Sequence, residues 1–315
     1  MFTLFGRLLV GAILSVSLLS GCAGGAAPSI PSSSIDLASL SRVQPDIHPF
    51  GRWMYLAQLY GEDLIIYRRI GFTLQPFKTL TQGVVSPQGT VATPDGWWYV
   101  ANGVGVLVYR STHHGPIAKT PLNDPGQVAV NVDVTPSRQL AAVSNGSSNS
   151  GGAGSVSVYL NRQQNPARTL TYGSDPLQGT GVGIDHQGNC YWAFNNPDTN
   201  SGSIVKFADC KGRGTIVQRG LANAAGITFD QQGNLYYIDQ PSGIYKCKKT
   251  SPCKLFSTGF DLPINLNFDK RDKTLWVADA GGDLYAVDPQ SGAILHTYPG
   301  NPSNPPFGVA PAPGG

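Results

Sequence analysis

A motif that recurs along most of the chain constrains its fold more than any other feature. Each copy has four residues, mostly apolar or aromatic, followed by Gln, Asn or Asp, and the six copies end at Gln58, Asn102, Asn145, Asn195, Asp239 and Asp279. Successive ends are 44, 43, 50, 44 and 40 residues apart, which is the period of a propeller blade with four strands. The longest step contains an insertion of small polar residues, 145–154. We therefore predict an all-β fold, a six-bladed β-propeller with four-stranded blades.

The copy at residues 226–247 shows how one blade is built. Its sequence predicts three short strands separated by turns at Asp230–Gly233 and Gln240–Gly243. Asp, Gly, Pro and Ser in these turns adopt the backbone angles that a tight reversal needs. A single unit of this kind cannot bury both of its faces, so the repeat implies packing of each unit between two neighbours.

The two ends of the repeat region complement each other. Residues 305–311 resemble the first strand of a blade and are followed by no second strand, whereas the first unit, near Phe50, lacks a first strand. We predict that the C-terminal segment supplies the inner strand of the N-terminal blade. Closing the ring in this way removes an open sheet edge that would otherwise invite aggregation.

The N-terminus is typical of an export signal. Arg7 precedes an apolar run of 12 residues, 8–19, which is shorter than a membrane-spanning helix requires. The run ends in Leu-Ser-Gly-Cys22, which resembles the lipobox of bacterial lipoproteins and implies cleavage after residue 21 and lipidation of Cys22. Ala23 after the cysteine resembles the signal for outer-membrane sorting in Gram-negative cells. The alternative is an ordinary secretory signal in which Cys22 is incidental.

Three segments follow from these observations: a signal peptide at 1–21, a lipidated cysteine with a Pro- and Ser-rich tether at 22–47, and the propeller at 48–315. We expect attachment to the membrane through lipid, a position in the bacterial cell envelope outside the cytoplasm, and a monomer. Charged residues make up 13% of the chain and the net charge is +3. The lysines at 246–249 are interpreted as a solvated strand end rather than a phosphate site, and nucleic acid is not an expected partner.

Besides Cys22, the chain has four cysteines, Cys190, Cys210, Cys247 and Cys253. An even number in an exported chain indicates two disulfides, for which three pairings exist. The predicted strands bring Cys190, at the start of a second strand, next to Cys210, at the end of the third. They also place Cys247 and Cys253 on either side of one turn. We predict these two pairs; a zinc site is the alternative, but no histidine lies at ligand spacing.

The predicted topology brings the six motif ends to one mouth of the central channel. Gln58, Asn102, Asn145, Asn195, Asp239 and Asp279 could there hold a small polar ligand, a cation or a partner protein. The alternative is structural, because Asn and Asp at a strand end commonly bond nearby backbone and set the turn. The tryptophans of the motif are interpreted as blade packing before carbohydrate stacking.

The blades resemble those of NHL-repeat proteins and of the SMP-30/gluconolactonase group, through residues 226–239 and 265–279. The hydrolases of that group hold a divalent metal on the channel axis with a Glu and an Asp among its ligands. In this chain Asn265 matches an amide ligand, Asn223 stands where an acidic ligand is wanted, and no Glu lies at the matching place in the first blade. Hard cations prefer carboxylate oxygens, so this sequence departs from the metal-site pattern.

No other catalytic motif is present in the sequence: there is no Gly-x-Ser-x-Gly elbow, no His-Glu-x-x-His and no phosphate-binding loop. We therefore assign no catalytic residue, no metal and no cofactor. The sequence favours a membrane-anchored extracytoplasmic lipoprotein that acts as a binding or scaffold module without catalysis. The alternative is a metal-dependent hydrolase of the SMP-30 type with a divergent site. A cluster of Asp239, Asp261 and Asp279 in the channel would favour that alternative.

Overall fold

The computed structural model describes residues 53–112, 114–148, 151–248, 251–269 and 273–312. In these residues the chain forms six antiparallel sheets of four strands each, as predicted. The signal peptide, Cys22, the tether and the start of the first unit lie outside the described residues. No helix in the described part of the chain is long and apolar enough to cross a membrane.

Each blade runs from an inner strand beside the channel to an outer strand. Blade 1 consists of β24 (Pro306–Pro311), β1 (Trp53–Gln58), β2 (Asp63–Ile70) and β3 (Thr73–Leu80). Blade 2 consists of β4 (Thr90–Ala92), β5 (Trp97–Ala101), β6 (Gly105–Thr112) and β7 (Gly115–Asn123). Blade 3 consists of β8 (Gln127–Val134), β9 (Leu140–Ser148), β10 (Ser155–Leu160) and β11 (Arg168–Leu170).

The other three blades follow the same order. Blade 4 consists of β12 (Gln178–Ile184), β13 (Cys190–Asn196), β14 (Ser201–Phe207) and β15 (Thr215–Leu221). Blade 5 consists of β16 (Ala224–Phe229), β17 (Leu235–Asp239), β18 (Gly243–Cys247) and β19 (Lys254–Ser257). Blade 6 consists of β20 (Pro263–Phe268), β21 (Leu275–Asp279), β22 (Leu284–Val287) and β23 (Ile294–Tyr298).

The C-terminal strand closes the ring as predicted. β24 is the inner strand of blade 1 and pairs antiparallel with β1, with Leu56 opposite Val309. The six inner strands contact one another in sequence order, and β24 contacts both β20 and β4. The ring is therefore continuous.

The hydrophobic core is divided among the blade interfaces. The described residues form six apolar clusters, and each cluster joins two neighbouring blades around the ring. The second strands are buried on both faces, which explains why the repeated motif is a continuous apolar run rather than an alternating one. Trp98, Trp192 and Trp276 are fully buried in these clusters, and Trp98 stacks on Tyr55 of the neighbouring blade with ring centroids 4.2 Å apart. Blade packing thus accounts for the motif tryptophans.

Glycine is required where the inner strands crowd around the axis. A Cβ atom on Gly308 would lie 2.1 Å from the Gln88 carbonyl oxygen, and one on Gly181 would lie 2.2 Å from the Ala225 carbonyl oxygen. Backbone atoms of a neighbouring blade cannot yield to such contacts. Glycine at these positions therefore permits six strands to meet around one channel.

Both predicted disulfides are present, Cys190–Cys210 and Cys247–Cys253. Two details of the strand prediction were wrong. Cys210 lies in a short 3-10 turn, Ala208–Cys210, three residues beyond the end of β14. Asn145 does not end its strand, because β9 continues to Ser148 by pairing with Gln127 of β8.

Ring closure predicts that deleting residues 303–315 sharply destabilises the chain. The deletion removes β24, including Val309 and Phe307, and exposes the edge of β1. Each lost apolar side chain contributes about 1.5–3 kcal/mol to a total stability of about 5–15 kcal/mol. We expect aggregation, or a melting temperature lower by about 10 °C or more in calorimetry.

Two matched valines give a milder version of the same test. Val309→Ala removes a fully buried side chain from β24, whereas Val217→Ala alters a side chain that is 42% exposed on the outer strand β15. We expect a loss of about 1–3 kcal/mol for the first variant and less than about 0.5 kcal/mol for the second. Equal urea-unfolding curves for the two variants would contradict ring closure by β24.

Candidate functional site

The six predicted mouth residues lie at the end of the channel where second and third strands connect. Asn195 is half-buried, and the other five are buried. Four of them end their strands or directly follow one, whereas Asn195 is next to last in β13 and Asn145 lies three residues before the end of β9. The structure thus places these side chains at one channel mouth, but mostly beneath its surface.

Most of these side chains fasten the connection that enters their own blade. The Asp279 carboxylate accepts hydrogen bonds from the backbone N–H of Leu262 at 2.8 Å and of Asp261 at 3.0 Å, just before the inner strand β20. It also accepts one from Gly281 in its own turn. Asn102 and Asp239 likewise accept a backbone N–H from the entering connection. Gln58 and Asn102 donate to backbone carbonyls there. These residues have a structural role: they hold each blade's first strand against its second.

Asn195 belongs to a relay of amides that crosses three blades. Its Nδ2 donates to Asn223 Oδ1, and Asn223 Nδ2 donates to Gln240 Oε1 at 2.7 Å. Gln240 Nε2 in turn donates to the Pro263 carbonyl of blade 6. The relay joins blades 4, 5 and 6 at the channel mouth.

The two amides that match metal-ligand positions are engaged within the chain. Asn265 Oδ1 accepts the Val309 backbone N–H at 3.1 Å, and Asn223 Oδ1 accepts from Asn195. Asp261 and Asp279 lie close together, and burial raises the pKa of the Asp279 carboxyl against three backbone hydrogen bonds. Within the described residues, no group of three or more His, Cys, Asp or Glu side chains is placed to hold a metal ion.

A cavity of about 760 Å³ opens at the opposite end of the channel. It lies where the inner strands end and turn into the second strands, and all six blades contribute to its lining. Thr135, Gln139, Thr228 and Asn267 supply polar groups, whereas Ile184, Phe229 and Phe268 supply apolar surface. The volume is in the range of small-molecule sites, which combine apolar walls with a few polar groups.

Asp133 is the acidic residue of the inner strands that lines this cavity. Its carboxylate is half-buried and accepts the backbone N–H of Val134 at 2.8 Å and of Ile184 at 2.7 Å. Burial raises the pKa of this carboxyl to about 6, although both hydrogen bonds oppose the shift. No described Lys or Arg forms an ion pair with it, so Asp133 gives the cavity a negative charge at neutral pH.

Aspartates at the ends of the inner strands are neutralised locally. Asp185 lies 3.9 Å from Lys206 Nζ, which lies 5.5 Å from the centroid of the Tyr191 ring. Blade 5 repeats this arrangement with Asp230, Lys246 and Tyr236, and blade 6 does so with Asp269, Trp276 and Arg69 of blade 1. His186 at the cavity rim is exposed, and its Nε2 is 2.9 Å from the Asp230 carbonyl oxygen.

The sequence prediction missed this cavity because it compared only the second strands. The penultimate positions of the inner strands are occupied, in blade order from 2 to 6 and then 1, by Val91, Asp133, Gly183, Thr228, Asn267 and Ala310. Four of these six residues line the cavity, Val91, Asp133, Thr228 and Asn267, and Asp133 is the acidic one among them. An alignment of the first strands would have singled out Asp133.

The comparisons with known proteins support the propeller fold. No protein-family model matches the chain, and no curated protein matches it. A solved structure described as "Crystal structure of Nidogen/Laminin Complex" is 15% identical, with a TM-score of 0.64 over 83% of this chain and 98% of that chain. A functionally unknown protein from Desulfotomaculum acetoxidans DSM 771 is 16% identical, with a TM-score of 0.53 over 81% and 83% of the two chains. These TM-scores show a shared six-bladed fold, and sequence identities this low do not assign the chain to a family.

The raised pKa of Asp133 predicts a stability that falls between acid and neutral pH. The folded chain holds this proton more tightly than the unfolded chain, whose Asp pKa is about 3.9. The resulting stabilisation is complete below pH 3.9 and is lost as the pH rises through about 6. Asp124, whose pKa burial also raises to about 6, acts in the same window.

The test compares urea unfolding of the parent chain and of Asp133→Asn at a series of pH values from 4 to 7. We expect the free energy of unfolding of the variant to fall less steeply over this range. Parallel pH profiles for the two proteins would contradict the assigned role of Asp133.

Proposed function

We propose that this chain is a non-catalytic binding module, anchored outside the cytoplasmic membrane through Cys22, that takes a small polar ligand in the cavity at the ends of its inner strands. The cavity is the observation that supports the proposal, because it is concave, is lined by all six blades and combines the carboxylate of Asp133 with neutral polar and aromatic side chains. The resemblance of the blades to NHL-repeat and SMP-30-like propellers is compatible with binding, and blades of this type are shared by many functions.

The location of the ligand differs from the mouth predicted from the sequence. At that mouth, most of the candidate oxygens and amides already bond the backbone of the chain itself. A ligand there would compete with bonds that fasten the blades. At the opposite end, Gln139, Gln187 and Ser137 are exposed at the cavity and available to a ligand.

Ligand binding is tested on the full-length chain in detergent, with monosaccharides, disaccharides, amino acids and polyamines as probes. We expect one of these classes to raise the melting temperature and to give saturation-transfer signals in NMR. Gln139→Ala and Gln187→Ala should weaken that response by about tenfold, since each removes one polar contact worth about 1.4 kcal/mol. Gln290→Ala, at an exposed residue outside the cavity, is the control.

Two results would contradict this proposal. The first is an equal response of the cavity variants and the Gln290 control to every probe. The second is metal-dependent hydrolysis of a sugar lactone by the purified chain, which would favour the SMP-30-type hydrolase.

The anchor is tested separately by Cys22→Ser. Each methylene of an acyl chain buried in the membrane contributes about 0.8 kcal/mol, so two or more chains hold a protein there stably. We expect the parent chain to incorporate labelled palmitate and to require detergent for extraction. The variant should lose the label and leave the membrane fraction or remain uncleaved. Identical fractionation together with an unlabelled parent chain would contradict lipidation.

A further inference from the structure

A closed polar network lies inside blade 3, at the channel end opposite the cavity. Its members are almost completely buried: Asp124 is 2% exposed, Asn145 0%, Ser155 3% and Ser157 1%. Asp124 precedes the inner strand β8, Asn145 lies in β9, and both serines lie in β10. The network therefore occupies the place where the other blades fasten their entering connection.

The Asn145 amide and the two serine hydroxyls donate all of their hydrogens within this network. Asn145 Nδ2 donates to Ser155 Oγ at 3.1 Å and to Ser157 Oγ at 3.0 Å. Ser157 Oγ donates to Asp124 Oδ1 at 2.6 Å, and Ser155 Oγ donates to Gln127 Oε1 at 3.1 Å. Each amide and hydroxyl hydrogen thus already has an acceptor.

Two buried oxygens are left without a partner, Asp124 Oδ2 and Asn145 Oδ1. Both belong to side chains that meet at the Ser157 hydroxyl. Asn145 is the one residue of the six predicted mouth residues whose buried side-chain oxygen has no partner. A buried acceptor left unpaired costs about 1–3 kcal/mol and more if it is charged, so this site calls for a positively charged or donating occupant.

The two unpaired oxygen atoms indicate which kind of ion would bind here. Both free atoms are oxygens, one from a carboxylate and one from an amide, and Gln127 Oε1 and two hydroxyl oxygens are beside them. Such oxygens are the ligands of hard cations. No described Lys or Arg pairs with Asp124, so its buried charge has no counter-ion within the described part of the chain.

We propose that Asp124 and Asn145 bind a hard metal cation of the Ca²⁺ type in blade 3. One carboxylate among neutral oxygens gives weak binding, since Ca²⁺ affinity rises with the charge of the ligand set. The cation fastens the connection before β8 to β9, which is the task that Asp239 and Asp279 perform with backbone N–H groups in their own blades.

Asp124 and Tyr159 are the titratable side chains at this site. Burial raises the pKa of Asp124 to about 6, and the hydrogen bond from Ser157 opposes the shift. Tyr159 is the titratable side chain that faces Asp124, and burial together with this carboxylate raises its own pKa far above the usual range.

The test uses the full-length chain in detergent, freed of metal by a chelator and then given millimolar CaCl₂ or NaCl of equal ionic strength. We expect Ca²⁺ to raise the melting temperature by several degrees at pH 7.5. Equilibrium dialysis with radioactive calcium should show about one ion per chain. The same response to NaCl, or none to either salt, would overturn the proposal and leave the site to water.

Variants of both ligands make the assignment specific. Asp124→Asn should lose the response to Ca²⁺, whereas Asn145→Asp adds a carboxylate and should lower the half-maximal Ca²⁺ concentration by about tenfold. Asp198→Asn, at an exposed residue on the same face, is the control and should respond as the parent chain does. An undiminished response in Asp124→Asn, or Asn145→Asp that is destabilised equally with and without Ca²⁺, would overturn it. This site is separate from the cavity, so its outcome is independent of the proposed function.

Discussion

The pairing of β24 with β1 is the interaction on which the rest of the structure depends. It completes blade 1, and it places Val309 in the apolar cluster that joins blades 6 and 1. It also positions the Val309 carbonyl to accept from Asn267 Nδ2, which donates to Thr90 of blade 2 as well, at 2.8 Å in each case. One C-terminal strand thus connects three blades. Because each apolar cluster spans two blades, no blade buries its core without both neighbours.

Much of the fold could be predicted because the composition of the repeated second strands follows from their burial. A strand buried on both faces must be apolar throughout, and the polar residue at its end is needed to fasten the entering connection, as Asp279 does. Ring closure followed from a surplus strand at one end and a missing one at the other. The disulfide pairs followed from the antiparallel register, in which Cys190 lies opposite Phe207, three residues before Cys210.

The candidate sites could not be predicted in the same way because they depend on differences between blades. The pattern treated Asn145 like the other strand ends, but β9 continues beyond it, and Asp124 rather than a backbone N–H faces the site. The cavity depends on which inner-strand side chains reach it: Asp133, Thr228 and Asn267 line it, whereas Ala310 packs between blades 1 and 2. Such volumes arise only when six strands are assembled around one axis.

Hydrogen exchange of the backbone amides tests the central claim, closure of the ring by β24, most directly. If β24 is an integral inner strand, peptides covering 306–311 should exchange as slowly as those covering β1 and β21, because their amides open only when the whole ring unfolds. Mass spectrometry of the full-length chain resolves these peptides. Rapid exchange of 306–311, with the other five blades remaining protected, would contradict the account.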